Sequence, residues 1–393
     1  MPFTLALIRK LASAGHEVWA ADDYELAPGS HTRYAAGHYV TPSPREDTEA
    51  FVTDIERICG EREIDVLVPS FEETFYLATR FDRLSAATSL FMSPFEPLAR
   101  LHDKASFQEL VTRLGLPTPA THVATSDAEL AELCESIPRY FARAAFSRGG
   151  VSLLTNTGPL AGAVAIGDCH PTPESPWLVQ EFVDGPTVCT YSAAHEGEVS
   201  AHCMYRIPRQ WRHSTGIQFE SMDGTESLRI IEKIVAELGY TGHISFDFVD
   251  RPDAGLTLIE CNPRVTDGVL ILGADELAEA ILSPRPGQIE TVPAGAMIQL
   301  DLAVLGDAFA DHFKHLPSSV AELSRIHDAG HGWHDPLPNL YSALALAHHE
   351  RASLSEHQKL FIAMAGDISW DGQPIAGMSA ADQAFMAGLE RSA

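Results

Sequence analysis

Gly242-His-Ile-Ser-Phe-Asp-Phe-Val-Asp250, then Arg251-Pro-Asp-Ala-Gly255, then Leu256-Thr-Leu-Ile-Glu-Cys-Asn-Pro-Arg264 is the most informative segment of this 393-residue chain. Its first part alternates apolar and polar residues, the period-two pattern of a half-buried strand. Pro252 and Gly255 break the pattern and favour a hairpin turn. Leu256 to Glu260 reads as the return strand. Folded at that turn, the segment brings Asp247 level with Glu260 and Asn262, with Arg264 beside them. Hard oxygen donors of this kind suit Mg²⁺, which proteins hold with one or two carboxylates while substrate phosphates complete the shell. The plainer alternative is a polar hairpin with a solvated Asp and Glu.

Asp247 followed by Glu260-Cys-Asn262-Pro-Arg264 resembles the metal-binding hairpin of the ATP-grasp superfamily, which includes D-alanine–D-alanine ligase, biotin carboxylase, carbamoyl-phosphate synthetase and L-amino acid ligases. The resemblance covers residues 1–275, with its specific motif at the hairpin. It implies Mg²⁺, with Mn²⁺ able to substitute, held by Asp247, Glu260 and Asn262 against the phosphates of ATP. It implies that Arg264 contacts phosphate or an acyl-phosphate intermediate. Asp267, just beyond, is a further candidate for substrate contact. The implied fold class is α/β (α+β). A parallel α/β pre-ATP-grasp domain occupies 1–98, a small ATP-covering subdomain 99–183, a central subdomain with the hairpin 184–282, and a C-terminal extension 283–393.

A chain of this length buries a sizeable core and accommodates two or three domains. Its 54 Asp and Glu outnumber 27 Lys and Arg, for a formal charge of -27. Such a surface repels nucleic acid and anionic membranes, so neither is expected as a partner. Any anion site must then be a local concentration of basic side chains and backbone N–H groups. The six cysteines are scattered and form no C-x-x-C pair, which argues against a zinc site or a disulfide framework and fits a reducing cytoplasm. The apolar run from Pro2 to Ile8 is too short for a signal peptide, and no segment approaches the length of a membrane span.

Leu5, Ile8 and Leu11 fall at helical spacing, Gly15 ends that helix, and Glu17 to Ala21 reads as a strand. A helix from Thr48 to Cys59 precedes a strand from Val66 to Pro69. Strands alternating with helices argue for a parallel sheet. The corresponding ATP-grasp domain opens with a strand and a glycine-rich turn, and this sequence opens in the first helix. The expectation is a start upstream of Met1, the alternative a sheet that lacks its first strand. Glu72 and Glu73 follow the Val66–Pro69 strand, at the end where open parallel sheets bind ligands. They are candidates for a substrate ammonium group; the alternative is a helix start whose acidic residues match the helix dipole.

Leu101-His-Asp-Lys104 starts a helix that runs to Leu114 and stops at Gly115, with Pro117 and Pro119 beyond. This resembles the Asp-Lys helix of the superfamily, implying a phosphate contact for Lys104; a surface charge is the alternative. In Tyr140-Phe-Ala-Arg143-Ala-Ala145, Arg143 stands where the family's first lid strand carries a phosphate-binding Lys, and the Pro that follows it there is absent. Arginine suits phosphate through its fork of donors. Ser147, Arg148, Gly149 and Gly150 then resemble the loop that wraps phosphates with backbone N–H groups.

Trp177 to Gly185 resembles the hinge that receives adenine, implying contacts at Gln180, Glu181, Phe182 and Val183. The family's ribose-binding acidic residue falls at Thr187 here, with Asp184 as the substitute. Without the resemblance, this stretch is an amphipathic strand ending in a turn. Tyr191 to His202 reads as two strands around Glu196-Gly197. Arg206, Arg209 and Arg212 form the densest basic cluster of the chain, awaiting either nucleotide phosphate or a carboxylate substrate, or else acidic neighbours. Ser227 to Leu238 is an amphipathic helix stopped by Gly239.

Residues 296 to 315 mix helical and strand patterns. His327, His331 and His334 with Asp328 and Asp335 are either a transition-metal cluster or a polar loop, and Leu340–His349 and Leu354–Ala365 read as helices. Packing on the core or formation of a homodimer are the roles expected of this extension. The whole implies an ATP-dependent ligase that couples a small-molecule carboxylate to an amine. Its rivals are an ATP-grasp carboxylase or kinase, and a non-catalytic nucleotide-binding protein.

Overall fold

The computed structural model describes residues 2–146, 153–211, 215–310, 316–329, 334–356 and 364–392. It begins with the helix Pro2–Ser13, whose Phe3, Ala6, Leu7 and Leu11 pack against Leu277, Ala278 and Ile281 of the helix Ala274–Leu282. Two short parallel pairs follow. Trp19–Asp22 pairs with Gly37–Val40, and Val66–Leu67 pairs with Ser89–Leu90. The strand Val66–Leu67 ends before Pro69, whose ring removes a ladder donor. Between the pairs lies the helix Thr48–Arg62, whose first turn is capped by the Asp47 carboxylate accepting from the Ala50 N–H.

A four-stranded antiparallel sheet runs in the order Thr121–Ala124, Trp177–Glu181, Tyr140–Ala144, Leu153–Thr155. The strand Thr121–Ala124 is an addition to the sequence reading, which carries no assignment there. An eight-stranded sheet is built around Gly255–Asn262, Gly242–Arg251, Thr187–His195 and Glu198–Trp211, in that order, continues through Thr215–Met222, Met297–Gln299 and His327–Asp328, and adds Glu290–Thr291 off this path beside Glu198–Trp211. Its two faces are packed differently. On one, the helix Thr225–Leu238 lays Ile230, Ile231, Ile234 and Val235 against Phe246, Phe248, Leu256 and Leu258, joined by Phe107, Leu110 and Val111 of the helix Lys104–Arg113. Full burial of each such side chain is worth roughly 1.5–3 kcal/mol. On the other, Tyr191, Ala193, Cys203 and Tyr205 meet Val265, Val269 and Leu270.

The C-terminal part packs on this core. Trp370, Ile375, Met378 and Met386 are buried in the same cluster as the helix Lys104–Arg113. The helix Leu337–Glu356 spans the first expected C-terminal helix and the start of the second; residues 357–363 lie outside the described residues. No described helix is long and apolar enough to cross a membrane.

Candidate active site

The hairpin Gly242–Arg251/Gly255–Asn262 sets the site. Asp247 lies directly opposite Glu260, and Ser245 opposite Asn262. Directly opposed residues share a face, as do residues two apart on one strand, so Asp247, Glu260 and Asn262 lie on one side of the sheet. Between the Asp247–Glu260 and Phe248–Leu258 pairs the register slips by one, leaving Ile259 as the extra residue of a bulge. The bulge offsets the alternation. Leu256 and Leu258 join Phe248 in the core, while Glu260 and Asn262 turn to the opposite face with Asp247.

Two buried cations from separate elements converge on Glu260. Arg143 Nη1 donates to Glu260 Oε2 at 2.8 Å, and Arg143 Nη2 donates to the carbonyl of Ile259. Lys104 Nζ lies 3.4 Å from Glu260 Oε1. Lys104 is the first residue of the helix Lys104–Arg113, where Asp103 caps the first turn by accepting from the Ser106 N–H. The Lys104 N–H donates to the Ala145 carbonyl, so the helix start is tied to the end of the strand that carries Arg143.

Burial pushes the Glu260 carboxyl up, but the charges of Lys104 and Arg143 outweigh it and hold the group below its ordinary value. Burial lowers Lys104 despite the opposing pull of Glu260. Asp247 is pushed up to about 6 by burial and by the neighbouring charge of Glu260. Asp267 rises to about 6 through burial, with Arg264 opposing.

Arg264 is held on several sides. Its Nη2 donates to Asn262 Oδ1 at 3.0 Å, its Nη1 donates to the Val265 carbonyl, and its guanidinium lies 4.5 Å from the centre of the Phe71 ring. Its Nε stands 3.8 Å from Glu72 Oε1. Glu72 in turn is fully buried, and its Oε2 accepts the backbone N–H of Trp370 at 2.9 Å.

Glu72 and Glu73, candidates for a substrate ammonium or else an acidic helix start, both have partners within the fold. Glu72 is enclosed between Arg264 and Trp370, and Glu73 Oε1 is taken by the N–H groups of Ser70 and Phe71. Arg206 and Arg209 likewise have acidic partners within the fold. Arg206 pairs with Glu220, and Arg209 with Asp307 and Glu322. Ser147, Arg148, Gly149, Gly150 and Arg212 lie outside the described residues.

In the hinge stretch, Gln180 is buried and its Nε2 donates to Thr121 Oγ1, whereas Glu181 and Thr187 are exposed and Phe182 and Val183 half-buried. Asp184 forms a two-point pair with Arg139, whose guanidinium lies over the Phe182 ring. Gly185 follows at φ 152°, and a Cβ there would sit 2.4 Å from the Asp250 carbonyl oxygen, so the hinge can approach the hairpin only with glycine.

The described residues of the histidine-rich stretch have partners elsewhere in the fold. His327 and Asp328 pair with Ile298 and Gln299 as a sheet strand, Asp335 is bound by Arg9 and Thr32, and His331 lies outside the described residues. Among the described residues no group of three His, Cys, Asp or Glu side chains is placed to hold a metal ion.

Trp370, Phe71 and the Ile259 carbonyl are parts of the site that sequence reasoning missed. Phe71 stands one residue before the Glu72–Glu73 pair and could have been read with it. Trp370 sits in a stretch with no periodic signal.

No family model and no curated protein matches the sequence. The fold is that of the ATP-grasp enzymes. N5-carboxyaminoimidazole synthetase from Staphylococcus aureus, complexed with ADP, aligns at a TM-score of 0.59 and 13% identity over 79% of this chain and 84% of its own. The biotin carboxylase domain of the Hydrogenobacter thermophilus 2-oxoglutarate carboxylase, a dimer in complex with MgADP, ADP and bicarbonate, gives 0.55 and 14% over 74% and 69%. An L-amino acid ligase from Bacillus licheniformis gives 0.52 and 16% over 71% of each chain. Identities this low carry the fold alone.

Proposed function

We propose that this protein is an ATP-dependent ligase that activates a small carboxylate as an acyl phosphate and joins it to an amine, releasing ADP and phosphate. The observation that carries the reading is the convergence of Lys104 and Arg143 on Glu260, beside Asp247, Asn262 and Arg264. Two buried cations facing a carboxylate pair suit a triphosphate and its metal ion better than they suit a purely structural hairpin.

Asp247, Glu260 and Asn262 fit Mg²⁺, and Mn²⁺ in its place: the donors are hard oxygens, and two facing carboxylates are what a dication neutralises. When bound, the ion supplies charge neutralisation and alignment of the phosphate oxygens. Lys104 and Arg143 bind the phosphates, Arg143 through its planar fork. Ser147, Arg148, Gly149 and Gly150 are assigned to phosphate by the sequence resemblance, and the hinge from Gln180 to Asp184, with Thr187, flanks the nucleoside. Arg264 holds the charged oxygens of the reacting carboxylate, itself steadied by Phe71 and Glu72. Asp267 lies at the substrate side. The carboxylate attacks the γ-phosphoryl group in line, ADP leaves, and the amine then displaces phosphate from the acyl carbon. Positioning and charge stabilisation are the main catalytic contributions of the chain. The division into 1–98, 99–183, 184–282 and 283–393 belongs to the same reading, and so do a cytoplasmic site of action and a homodimer.

A carboxylase is the second reading, favoured by the two structural neighbours named for carboxylation chemistry. Phosphate release is to be screened with ATP and Mg²⁺ against amino acids singly, in pairs, and against bicarbonate with amines. Release that needs both a carboxylate and an amine supports ligation. Release with bicarbonate and an amine, independent of any other carboxylate, replaces it with carboxylation.

A further inference from the structure

Asp247, Ser245 and His243 are two apart on one strand, so their side chains share the face of the candidate site. Ser245 Oγ lies 2.8 Å from Thr266 Oγ1, two residues past Arg264. His243, the last of the row, is 3% exposed. Its Nδ1 lies 2.7 Å from the hydroxyl of Tyr191, and its Nε2 has no hydrogen-bond partner among the described residues. A buried polar atom is costly to leave unmet, and folded proteins meet such atoms with protein groups or ordered water.

Arg264 presents the complementary gap. Its Nη1 and Nη2 have acceptors, but its buried Nε has none at hydrogen-bond distance among the described residues. Glu72 Oε1 stands 3.8 Å from that Nε, too far for a direct bond and a spacing that an intervening water fills. His243 and Arg264 line one small cavity, together with Phe71, Phe91, Tyr240 and Pro263. The cavity leaves about 10 Å³ for the centre of a water molecule, which is room for one. Arg264 already lies beside two acidic groups, Glu72 and Asp267. Burial and the neighbouring His195 push His243 down to about 3, so the imidazole stays neutral and leaves that charge balance as it is.

We infer that one water molecule in this cavity joins Arg264 to His243 and makes His243 a positioning residue for the guanidinium. The water accepts from Arg264 Nε–H and donates to His243 Nε2, and its second O–H is directed to Glu72 Oε1. Three partners are the usual number for a buried water. His243 then carries its proton on Nδ1, which donates to Tyr191 Oη. Asn262 and the Val265 carbonyl hold the two ends of the Arg264 fork, and the water holds the remaining N–H. The plane of the guanidinium is thereby set before a substrate arrives. The inference rests on the role proposed above for Arg264 and adds the group that orients it.

A high-resolution crystal structure of the full chain tests the water, and the kinetics of phosphate release test the role. Density is expected for one water at hydrogen-bond distance from both His243 Nε2 and Arg264 Nε. An empty cavity, or a water that touches only one of the two, overturns the inference. His243→Leu fills a similar volume and removes the acceptor. Its kcat, with the substrates found by the phosphate-release screen, is expected to fall about three- to tenfold at unchanged KM for ATP, the worth of one neutral hydrogen bond. In His243→Gln the amide reaches the position of Nε2, and most of the lost kcat should return. A merely structural role would lower folding stability in both variants and spare the kcat of the folded enzyme. Wild-type kcat in His243→Leu, or equal losses in the Leu and Gln variants, overturns the positioning role and leaves the ligase reading standing. If wild-type protein releases no phosphate in the screen, the ligase reading falls and takes the positioning role with it. Should His243→Leu fail to fold, His243→Met, with its more adaptable side chain, takes its place.

Discussion

The backbone N–H of Trp370 donates to Glu72 Oε2, and the other oxygen of that carboxylate faces Arg264, so the C-terminal segment reaches the candidate site through one buried side chain. The Trp370 carbonyl lies 3.2 Å from His102 Nε2, and its ring sits among Phe75, Phe95, His102 and Phe146. Trp370→Ala is expected to cost roughly 3–5 kcal/mol, the range for emptying a large aromatic site. Urea unfolding followed by far-UV circular dichroism measures it. A loss below about 1 kcal/mol would mean that the segment is not part of the folded core. Gly372 makes a milder probe. It lies at φ 84°, and a Cβ there would stand 2.5 Å from the Phe146 ring, so Gly372→Ala should also destabilise.

Glu260→Gln keeps the shape of the hairpin but takes the counter-charge from Lys104 and Arg143. Uncompensated buried charges of this kind cost roughly 3–5 kcal/mol. Both a lower unfolding midpoint and loss of Mg²⁺-dependent phosphate release are expected. Wild-type turnover at saturating Mg²⁺ would sink the metal assignment.

Arg143 orders a graded series. Each charge-assisted hydrogen bond is worth roughly 1.5–3 kcal/mol, so Arg143→Ala should weaken nucleotide binding about ten- to a hundredfold. Arg143→Lys keeps the charge, loses the fork, and should fall between the two. Calorimetric titration of the three proteins with an ATP analogue provides the ranking. Equal affinity for wild type and Arg143→Ala would remove this strand from the phosphate site.

Arg9 and Asp335 form a buried pair at 2.8 Å that ties the first helix to the C-terminal part. Thr32 Oγ1 and the Arg33 N–H also donate to Asp335, so removing its charge strands more than one donor. Asp335→Asn is expected to destabilise by roughly 3 kcal/mol, since breaking one side of a buried pair leaves the other uncompensated. The double variant Arg9→Met/Asp335→Leu should recover much of that loss. A double variant no more stable than Asp335→Asn would place the loss in the stranded Thr32 and Arg33 donors rather than in the uncompensated Arg9 charge.

His202 makes acid stability predictable. It is buried between Ser192 Oγ and Ser227 Oγ, and burial lowers it from the ordinary 6.5 to about 4. The unfolded chain therefore binds a proton that the folded chain refuses as pH falls below 6.5. Stability from this group is present above pH 6.5, declines between 6.5 and 4, and at full development the loss is about 3 kcal/mol at 1.36 kcal/mol per pKa unit. Unfolding free energy measured from pH 7 to 5 should fall less steeply in His202→Gln than in wild type. Parallel slopes would assign the acid sensitivity elsewhere.

By itself, the sequence determined the elements whose cause is local. Alternation with Pro252 and Gly255 located the hairpin, and helical spacing with Gly239 located the helix before it. The Leu-Gly-Leu-Pro stop located the helix that opens at Lys104. Only the tertiary structure decided which side chains meet. Strict alternation would put Leu256 and Leu258 on the face of Glu260 and Asn262; the bulge at Ile259 separates them, and a bulge is set by what packs on each face rather than by the strand's own residues. Glu72 stayed open between a substrate contact and an acidic helix start because Trp370, nearly 300 residues later, is invisible to any local pattern. Arg206 and Arg209 left a bound anion and acidic neighbours both open in the sequence, because Glu220, Asp307 and Glu322 are joined to them only by sheet pairing and helix packing. A charge pattern states what a side chain can bind, and long-range packing determines which partner it finds first.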